Sequence, residues 1–337
     1  MKIGFWILAV GIAAALLAGC GGKGGAETAD RCPGGFVNER ELSVTVDGYE
    51  GPETIGIVMA QNQNYFEYNG LDVSAYVASE PARAVTYVAS GSVDLGITHL
   101  PQVVLAREKG ARVVAIGSLI PRPTAAMIWL KKSQIDGIAD LKGKTIAIPG
   151  LPFQRDFLES VLAREGLKLS DVKVENVGYD LVPALVSGRA DAILGSPNME
   201  GADLEARNLQ TVATPVDSLD IPPYDEWVVI ARADRLTKDP KPYCEFMSAM
   251  ARGTAAAIKR PPDALRAAEE TDERDFDLSP KALKAQVEAT LPLVSKSAYM
   301  SPAQANKLVD WMFEQGMIER KLPASALLTN AYRQPSE

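Results

Sequence analysis

One short pattern occurs twice in this chain, once in each half, and it constrains the fold more than anything else in the sequence. A short helical stretch ends on Ser-Gly, two residues follow, then Asp, then an apolar strand. The first copy runs from Ala84–Ala89 through Ser90-Gly91 and Asp94 to Leu95–Ile97. The second runs from Leu181–Ser187 through Gly188 and Asp191 to Ala192–Leu194. Glycine just past a helix supplies the left-handed conformation that closes the last turn. One Ser-Gly stop is commonplace, but two copies in the same frame imply two similar α/β halves. Polar residues follow each strand: Thr98 and His99 in the first copy, Asn198 and Glu200 in the second. In open α/β sheets ligands bind beyond the carboxyl ends of the strands, so the two tips are expected to face one cleft. Before the second copy, a strand should end near Val177, Asp180 is placed to cap the helix through its carboxylate, and Pro183 falls in the first turn, where a missing N–H does no harm.

The rest of the chain alternates in the same way. Strands are expected at Glu41–Val46, Asp72–Val77, Val113–Gly117, Ala125–Leu130 and Thr145–Ile148, and helices at Ile55–Gln63, Pro101–Glu108 and Gln154–Glu165. This β-α alternation predicts mostly parallel sheets covered by helices. Phe157, Leu158, Val161 and Leu162 share one face of the third helix at helical spacing. That helix starts directly after a strand, so its free N–H groups point toward the cleft, though an ordinary β-α turn accounts for the pattern without a ligand. Val228–Ala231 is an apolar strand that returns the chain to its first half. From Pro240 onward the chain reads as helical, with breaks at Pro261-Pro262 and Ser279-Pro280 and a good start at Ser301-Pro302. The charged run Glu269–Asp277 reads as a solvated face.

Composition narrows the partners. A net charge of −8 over 337 residues argues against a nucleic-acid backbone, which needs a basic face. Lys2, the apolar run Ile3–Leu17 and Leu17-Ala18-Gly19-Cys20 read as an export signal over residues 1–19. The Leu-Ala-Gly-Cys end resembles a lipobox, which implies a product that starts at Cys20, carries lipid on that sulfur and is anchored at the cell envelope. Residues 20–40, with their Gly-rich start, read as a flexible tether. Cys32 and Cys244 remain; export permits a disulfide between them, and a small buried thiol at Cys244 is an equal alternative. No CxxC or His-Cys cluster offers a metal site, and no cofactor is expected.

Several stretches in order resemble a known family. They are Ile97-Thr98 to Gly110, Arg122-Pro123, Asp140-Leu141-Lys142-Gly143-Lys144, Pro149-Gly150, Val177-Gly178-Tyr179 to Asp191, Asn198-x-Glu200-Gly201, Pro223-Tyr224-Asp225-Glu226 and Thr329-Asn330. Together they are similar to the taurine, sulfonate and thiamine-precursor (SsuA/THI5-like) substrate-binding proteins of ABC transporters. The resemblance implies the two-lobed periplasmic binding fold of type II: lobe 1 from 41–130 plus 234–337, lobe 2 from 131–233, and crossovers near 131–137 and 228–234. It also implies a solute receptor that closes by hinge motion and delivers a small polar molecule to an ABC permease, with the ATPase on separate chains. The thiamine-precursor subgroup opens with Asp-Trp, then Pro-Asn-Pro and a His. Here Asp47-Gly48-Tyr49-Glu50-Gly51-Pro52 keeps the Asp, an aromatic and a Pro, and Ser196-Pro197 replaces the aromatic residues usual before Asn-x-Glu.

Seven residues are candidates for ligand contact. Glu200 can accept from an amino group, such as that of an aminopyrimidine, and Asn198 can donate and accept. Tyr224 and Tyr49 can stack or donate, and Arg122 can pair with a carboxylate or sulfonate. Thr98 and His99 follow from their place at a strand tip. Each has an ordinary structural alternative, with Asn198 in a turn, Tyr224 in the core and Arg122 on a surface loop. No catalytic residue is expected. His99 is the single histidine, no Ser or Cys stands in a GxSxG elbow, and the cysteine-rich iron motif of the yeast pyrimidine-making relatives is absent. The rival readings are a secreted hydrolytic or pyrimidine-processing enzyme, and a sensory or scaffold relative without transport.

Overall fold

The two Asp residues of the repeated pattern do the same job in two different sheets. Asp94 Oδ2 accepts the Ser43 N–H at 3.1 Å, and the Asp94 N–H donates to Ser43 O at 3.1 Å. Asp191 Oδ2 accepts the Thr145 N–H at 2.8 Å, and the Asp191 N–H donates to Thr145 O at 2.8 Å. Each Asp therefore sets the register between a central strand and its neighbour. The glycines close the preceding helices as expected, Gly91 at φ +83° and Gly188 at φ +76°. Asp180 does precede the second helix, but its side chain makes no capping bond.

A computed structural model of the chain describes residues 32, 39–48, 51–77, 82–271 and 278–333. The expected export signal, the expected lipidation site Cys20, all but the end and Cys32 of the expected tether, Tyr49, and residues 272–277 of the charged run lie outside the described residues. Among the described residues ten strands form two sheets of five. They are β1 (Arg40–Val46), β2 (Leu71–Val77), β3 (Leu95–Thr98), β4 (Val113–Ile120), β5 (Ala126–Leu130), β6 (Thr145–Ile148), β7 (Lys173–Asn176), β8 (Ala192–Gly195), β9 (Thr211–Pro215) and β10 (Trp227–Arg232). The first sheet has the order β2-β1-β3-β10-β4 and the second β7-β6-β8-β5-β9. In each sheet the first three are parallel, and the fourth runs antiparallel to both its neighbours. The halves therefore share one topology, and β3 and β8, every residue buried, occupy equivalent central places.

The antiparallel strands are exchanged between halves. β5 follows β4 in the chain yet pairs with β8 and β9, and β10 follows β9 yet pairs with β3 and β4. This corrects the expected boundaries at 130/131 and 233/234. Ala126–Leu130 belongs to the second sheet and Trp227–Arg232 to the first, so the chain crosses at 121–125 and 216–226, several residues earlier than expected on both passages. An apolar run such as β5 fits either sheet; pairing partners, which local pattern does not encode, decide between them.

Helices cover both sheets. Gln154–Ala163 buries Phe157, Leu158, Val161 and Leu162 as the spacing predicts. Pro302–Glu314 begins on Ser301, whose hydroxyl accepts the Gln304 N–H, and buries Leu308 and Met312. The two helices meet edge to face at Phe157 and Trp311, with ring centroids 5.1 Å apart. The helix Pro280–Thr290, in the sequence after β10, packs across the residues that follow β8. Cys32 and Cys244 form a disulfide, which resolves the open alternative against a free thiol. Among the described residues, no helix is long and apolar enough to cross a membrane.

Candidate ligand-binding cleft

Topology brings three strand tips of the first sheet to one edge. β1 and β3 are parallel and end there, so Asp47 and His99 follow them into the cleft. β10 is antiparallel and begins there, which delivers Glu226 and Trp227 to the same place. Glu53 arrives on the short turn Pro52–Thr54. The second half answers with Phe153 and Gln154 at the start of their helix, Tyr179, and Ser196 and Glu200 beyond β8.

His99 and Glu226 form the centre of this cleft. His99 Nδ1 donates to Glu226 Oε1 at 2.9 Å, with both side chains nearly excluded from water. Burial alone would lower the His99 pKa. The Glu226 hydrogen bond and the charges of Glu226, Asp47 and Glu53 outweigh it and hold the imidazole above its ordinary value. Glu226 Oε2 accepts the Thr124 N–H at 2.8 Å and the Tyr224 hydroxyl at 3.2 Å. The imidazole lies between rings from both halves, 4.1 Å from Trp227 and 5.5 Å from Phe153 between centroids.

Further carboxyls surround the pair. Asp47 accepts the Ala84 N–H at 2.9 Å and the Thr98 hydroxyl at 2.7 Å, yet burial still raises its pKa. Glu200 Oε2 accepts the Ser196 N–H at 2.7 Å, and burial raises that carboxyl as well. Glu53 is pushed up to about 7, first by burial and then by the facing charge of Glu200. Its Oε1 accepts the Asn198 amide at 3.3 Å, and the same amide donates to Thr290 Oγ1 at 3.0 Å. Among the described residues that line the cleft there is no Lys or Arg.

The six described candidates separate into three groups. His99 and Glu200 line the cleft. Asn198, Thr98 and Tyr224 are buried one layer behind it, where they hold Glu53, Asp47 and Glu226 respectively. Tyr224 packs edge to face on Phe157, and burial beside Glu226 lifts its hydroxyl pKa well above the usual value, so it supports the site instead of stacking on a ligand. Arg122 is exposed on the first crossover and is not part of the lining, which removes it as an anion contact. Tyr49 lies outside the described residues.

Sequence reasoning missed Asp47, Glu53, Glu226, Trp227 and Phe153. Glu226-Trp227 had a readable signal, an acidic and an aromatic residue directly before the apolar run 228–231. Attention to carboxyl strand ends passed over it, because an antiparallel strand presents its beginning to the same edge. Gly48, at φ +152°, leaves room for Trp227, whose ring would stand 3.1 Å from an added Cβ.

Two matched sheets, each with one exchanged strand, facing each other across a lined cleft, define a two-lobed α/β binding-protein fold. Its solved neighbours include the alkanesulfonate-binding protein SsuA from Xanthomonas axonopodis pv. citri bound to MOPS, with a TM-score of 0.69 and 18% identity over 87% of this chain and 100% of that one. At that identity the likeness shows the fold alone. The family is shown by sequence: residues 51–264 match the NMT1/THI5-like family, and the chain belongs to it, as its motifs imply. A Haemophilus influenzae protein named for thiamine biosynthesis is 29% identical over 291 residues, 85% of this chain and 90% of its own length. The formylaminopyrimidine-binding protein of Halalkalibacterium halodurans is 30% identical over 246 residues, 70% of this chain and 72% of its own length. The 4-amino-5-hydroxymethyl-2-methylpyrimidine phosphate synthase of Schizosaccharomyces pombe is 30% identical over 154 residues, but these make up only 46% of this chain and 44% of the synthase. Relatives thus include both binding proteins and enzymes.

Proposed function

We propose that this chain is the solute receptor of an ABC importer and that its ligand is a small aromatic heterocycle bearing amino groups. One observation carries the ligand class: the described lining combines four carboxyl side chains and four aromatic side chains with His99, and has no Lys or Arg. Carboxylates accept from amino groups and repel anions, and a flat ring can pack against the aromatic side chains that line the cleft. This favours an aminopyrimidine, as in the name of the Halalkalibacterium relative, over a sulfonate. The missing Trp of the opening motif is offset by Trp227, which reaches the cleft at the start of β10.

Ligand contacts are assigned to His99, Glu200, Glu53, Trp227 and Phe153, with Asn198, Thr98 and Tyr224 as positioning residues. The two halves close on the ligand by rotation about 121–125 and 216–226, because carboxyls and rings from both sides meet it only when closed. The receptor is exported, lipidated on Cys20 and tethered to the envelope beside its permease. Binding without turnover is supported by the pairing of Cys32 with Cys244, which leaves neither as a thiol nucleophile.

Thermal melting with 4-amino-5-hydroxymethyl-2-methylpyrimidine and with ethanesulfonate tests this. At a hundredfold excess over Kd the pyrimidine should add about 2.7 kcal/mol of stability, and the sulfonate nothing. Stabilisation by the sulfonate alone would reverse the ligand class. Retention of a Cys20→Ala variant in the membrane fraction would remove the lipid anchor.

A further inference from the structure

We propose that the cleft exchanges a proton for a cation: Glu53 stays protonated until a positively charged ligand replaces that proton between Glu53 and Glu200. The proposal rests on the reading of this cleft as the ligand site and adds the charge state in which the ligand is bound. As a balanced step, the protonated Glu53 carboxyl and the cationic ligand give a carboxylate–cation pair, and the proton leaves to solvent.

The geometry of the two carboxyls is unequal. Glu200 comes from the second half, and its Oε2 is fixed by the Ser196 N–H at 2.7 Å, a bond that favours the ionised form. Glu53 comes from the first half, and it accepts the Asn198 amide at the longer distance of 3.3 Å, an amide that Thr290 shares. Asn198 is 4% exposed and its own Oδ1 has no donor, so the polar contacts around Glu53 are short of positive hydrogen.

The charges that face Glu53 are mostly negative. Glu200 stands opposite, Glu226 lies beside it, and the positive charge of His99 is committed to Glu226. The helix Ile55–Asn62 behind Glu53 carries no titratable side chain, and neither does β4. The helix Pro280–Thr290 offers Thr290. Its Lys281 donates to Ala206 O, and its Lys284 and Glu288 lie exposed, 3.9 Å from each other. Asp203, which acts on Glu200, is paired with Arg207 at 2.8 Å. Burial and these like charges hold Glu53 near 7, so at neutral pH the proton is held loosely enough to be displaced.

A planar cation suits the vacated position. An amidinium, or an aminopyrimidine protonated on its ring, presents adjacent N–H donors in the plane of the ring. Those donors reach two carboxylates while a ring face packs on the aromatic side chains that line the cleft. Because the carboxylates come from opposite halves, the cation also ties the halves together. Charge neutralisation and closure are then one event.

Two measurements on the full chain test the exchange. The first needs no ligand: melting temperature from about pH 5.5 to about pH 8.5 for the wild type and for Glu53→Gln. A carboxyl raised in the folded state contributes stability that is lost as pH rises through the folded pKa, here about 7. The wild type should therefore lose stability across that range relative to the variant, and the difference separates Glu53 from Asp225, which burial pushes up to about 6. Parallel profiles overturn the proposal.

The second measurement compares benzamidinium, a fixed cation, with benzamide, its neutral isostere. Benzamidinium affinity should rise close to tenfold per pH unit up to about pH 7 and then level off. Calorimetry in phosphate and in Tris should show close to one proton released at the acid end. Equal affinity for benzamide, or a flat profile for benzamidinium, overturns the exchange. If 4-amino-5-hydroxymethyl-2-methylpyrimidine binds and benzamidinium does not, the exchange fails and the receptor reading stands. If neither binds, the receptor reading fails and takes this proposal with it.

Discussion

The Asn198 side-chain amide donates to Glu53 Oε1 at 3.3 Å and joins the two halves of the chain across the cleft. The same amide donates to Thr290, and Gln286 Nε2 on that helix donates to Met199 O at 3.2 Å. These polar bonds join the halves on one side of the cleft, beside the apolar packing of Phe157 on Trp311. A hydrogen bond contributes about 1 kcal/mol, and more to a charged partner. Asn198→Ala should thus open the resting protein and weaken ligand binding roughly tenfold. Small-angle scattering should show a larger radius of gyration, and calorimetry the lower affinity. An unchanged radius would mean that closure does not depend on this contact.

His99 and Glu226 make stability depend on pH in a defined direction. The folded His99 pKa is raised above its unfolded value, with the Glu226 bond overcoming burial. The pair's contribution is then fully present below about pH 6.5 and is lost as pH rises through the folded pKa. His99→Gln should cost about 3 kcal/mol at the acid end and clearly less in alkaline solution. Denaturant melts of both proteins at about pH 6 and about pH 9 check it. A cost that grew with pH would mean that the imidazole is neutral in the folded protein.

Much of this fold was legible because its repeat is local. Ser-Gly, Asp and the apolar strand sit within eight residues of one another in each copy, and each feature has a local cause: a left-handed glycine, a strand buried on both faces. The exchange of β5 and β10 was not legible in its boundaries, since both are uniformly apolar and either sheet would bury them. The site was half legible. Glu200 and His99 follow their strands in sequence, so the strand-end rule finds them. Glu226 and Trp227 precede theirs, and Glu53 sits on a turn that only tertiary packing carries into the cleft. Asn198 and Tyr224 were found for the wrong reason: their polar groups serve other side chains, and the sequence does not distinguish a residue that touches a ligand from one that holds its neighbour.

Asp94 and Asp191 should behave as equivalents despite their different sheets. Each carboxylate accepts a backbone N–H from the neighbouring strand, Ser43 or Thr145. Replacement by Ala leaves a strand N–H without its acceptor, which costs about 1–3 kcal/mol. Asn keeps an oxygen in place and should cost less. Urea melts should show lower midpoints with unchanged slope for Asp191→Ala and Asp94→Ala. Asp94 also pairs with Arg235 at 2.6 Å, so its replacement should cost somewhat more.

The Cys32–Cys244 disulfide should matter for stability and not for ligand affinity. It closes a sequence separation of 212 residues, long enough to restrict the unfolded chain strongly. Tyr243, next to Cys244, lies with Arg40 and Asp94 at the edge of the first sheet where β1 and β3 begin. The cleft lies at the opposite edge, where those strands end. Loss of the bond therefore releases the chain before β1 without touching Glu53, His99 or Trp227. Cys244→Ser should lower stability by about 2–4 kcal/mol, a fall of roughly 5 °C or more in melting temperature. The Kd for 4-amino-5-hydroxymethyl-2-methylpyrimidine should stay within about twofold of the wild type, less than 0.5 kcal/mol. A large loss of affinity would instead mean that release of Cys32 acts on the cleft through β1.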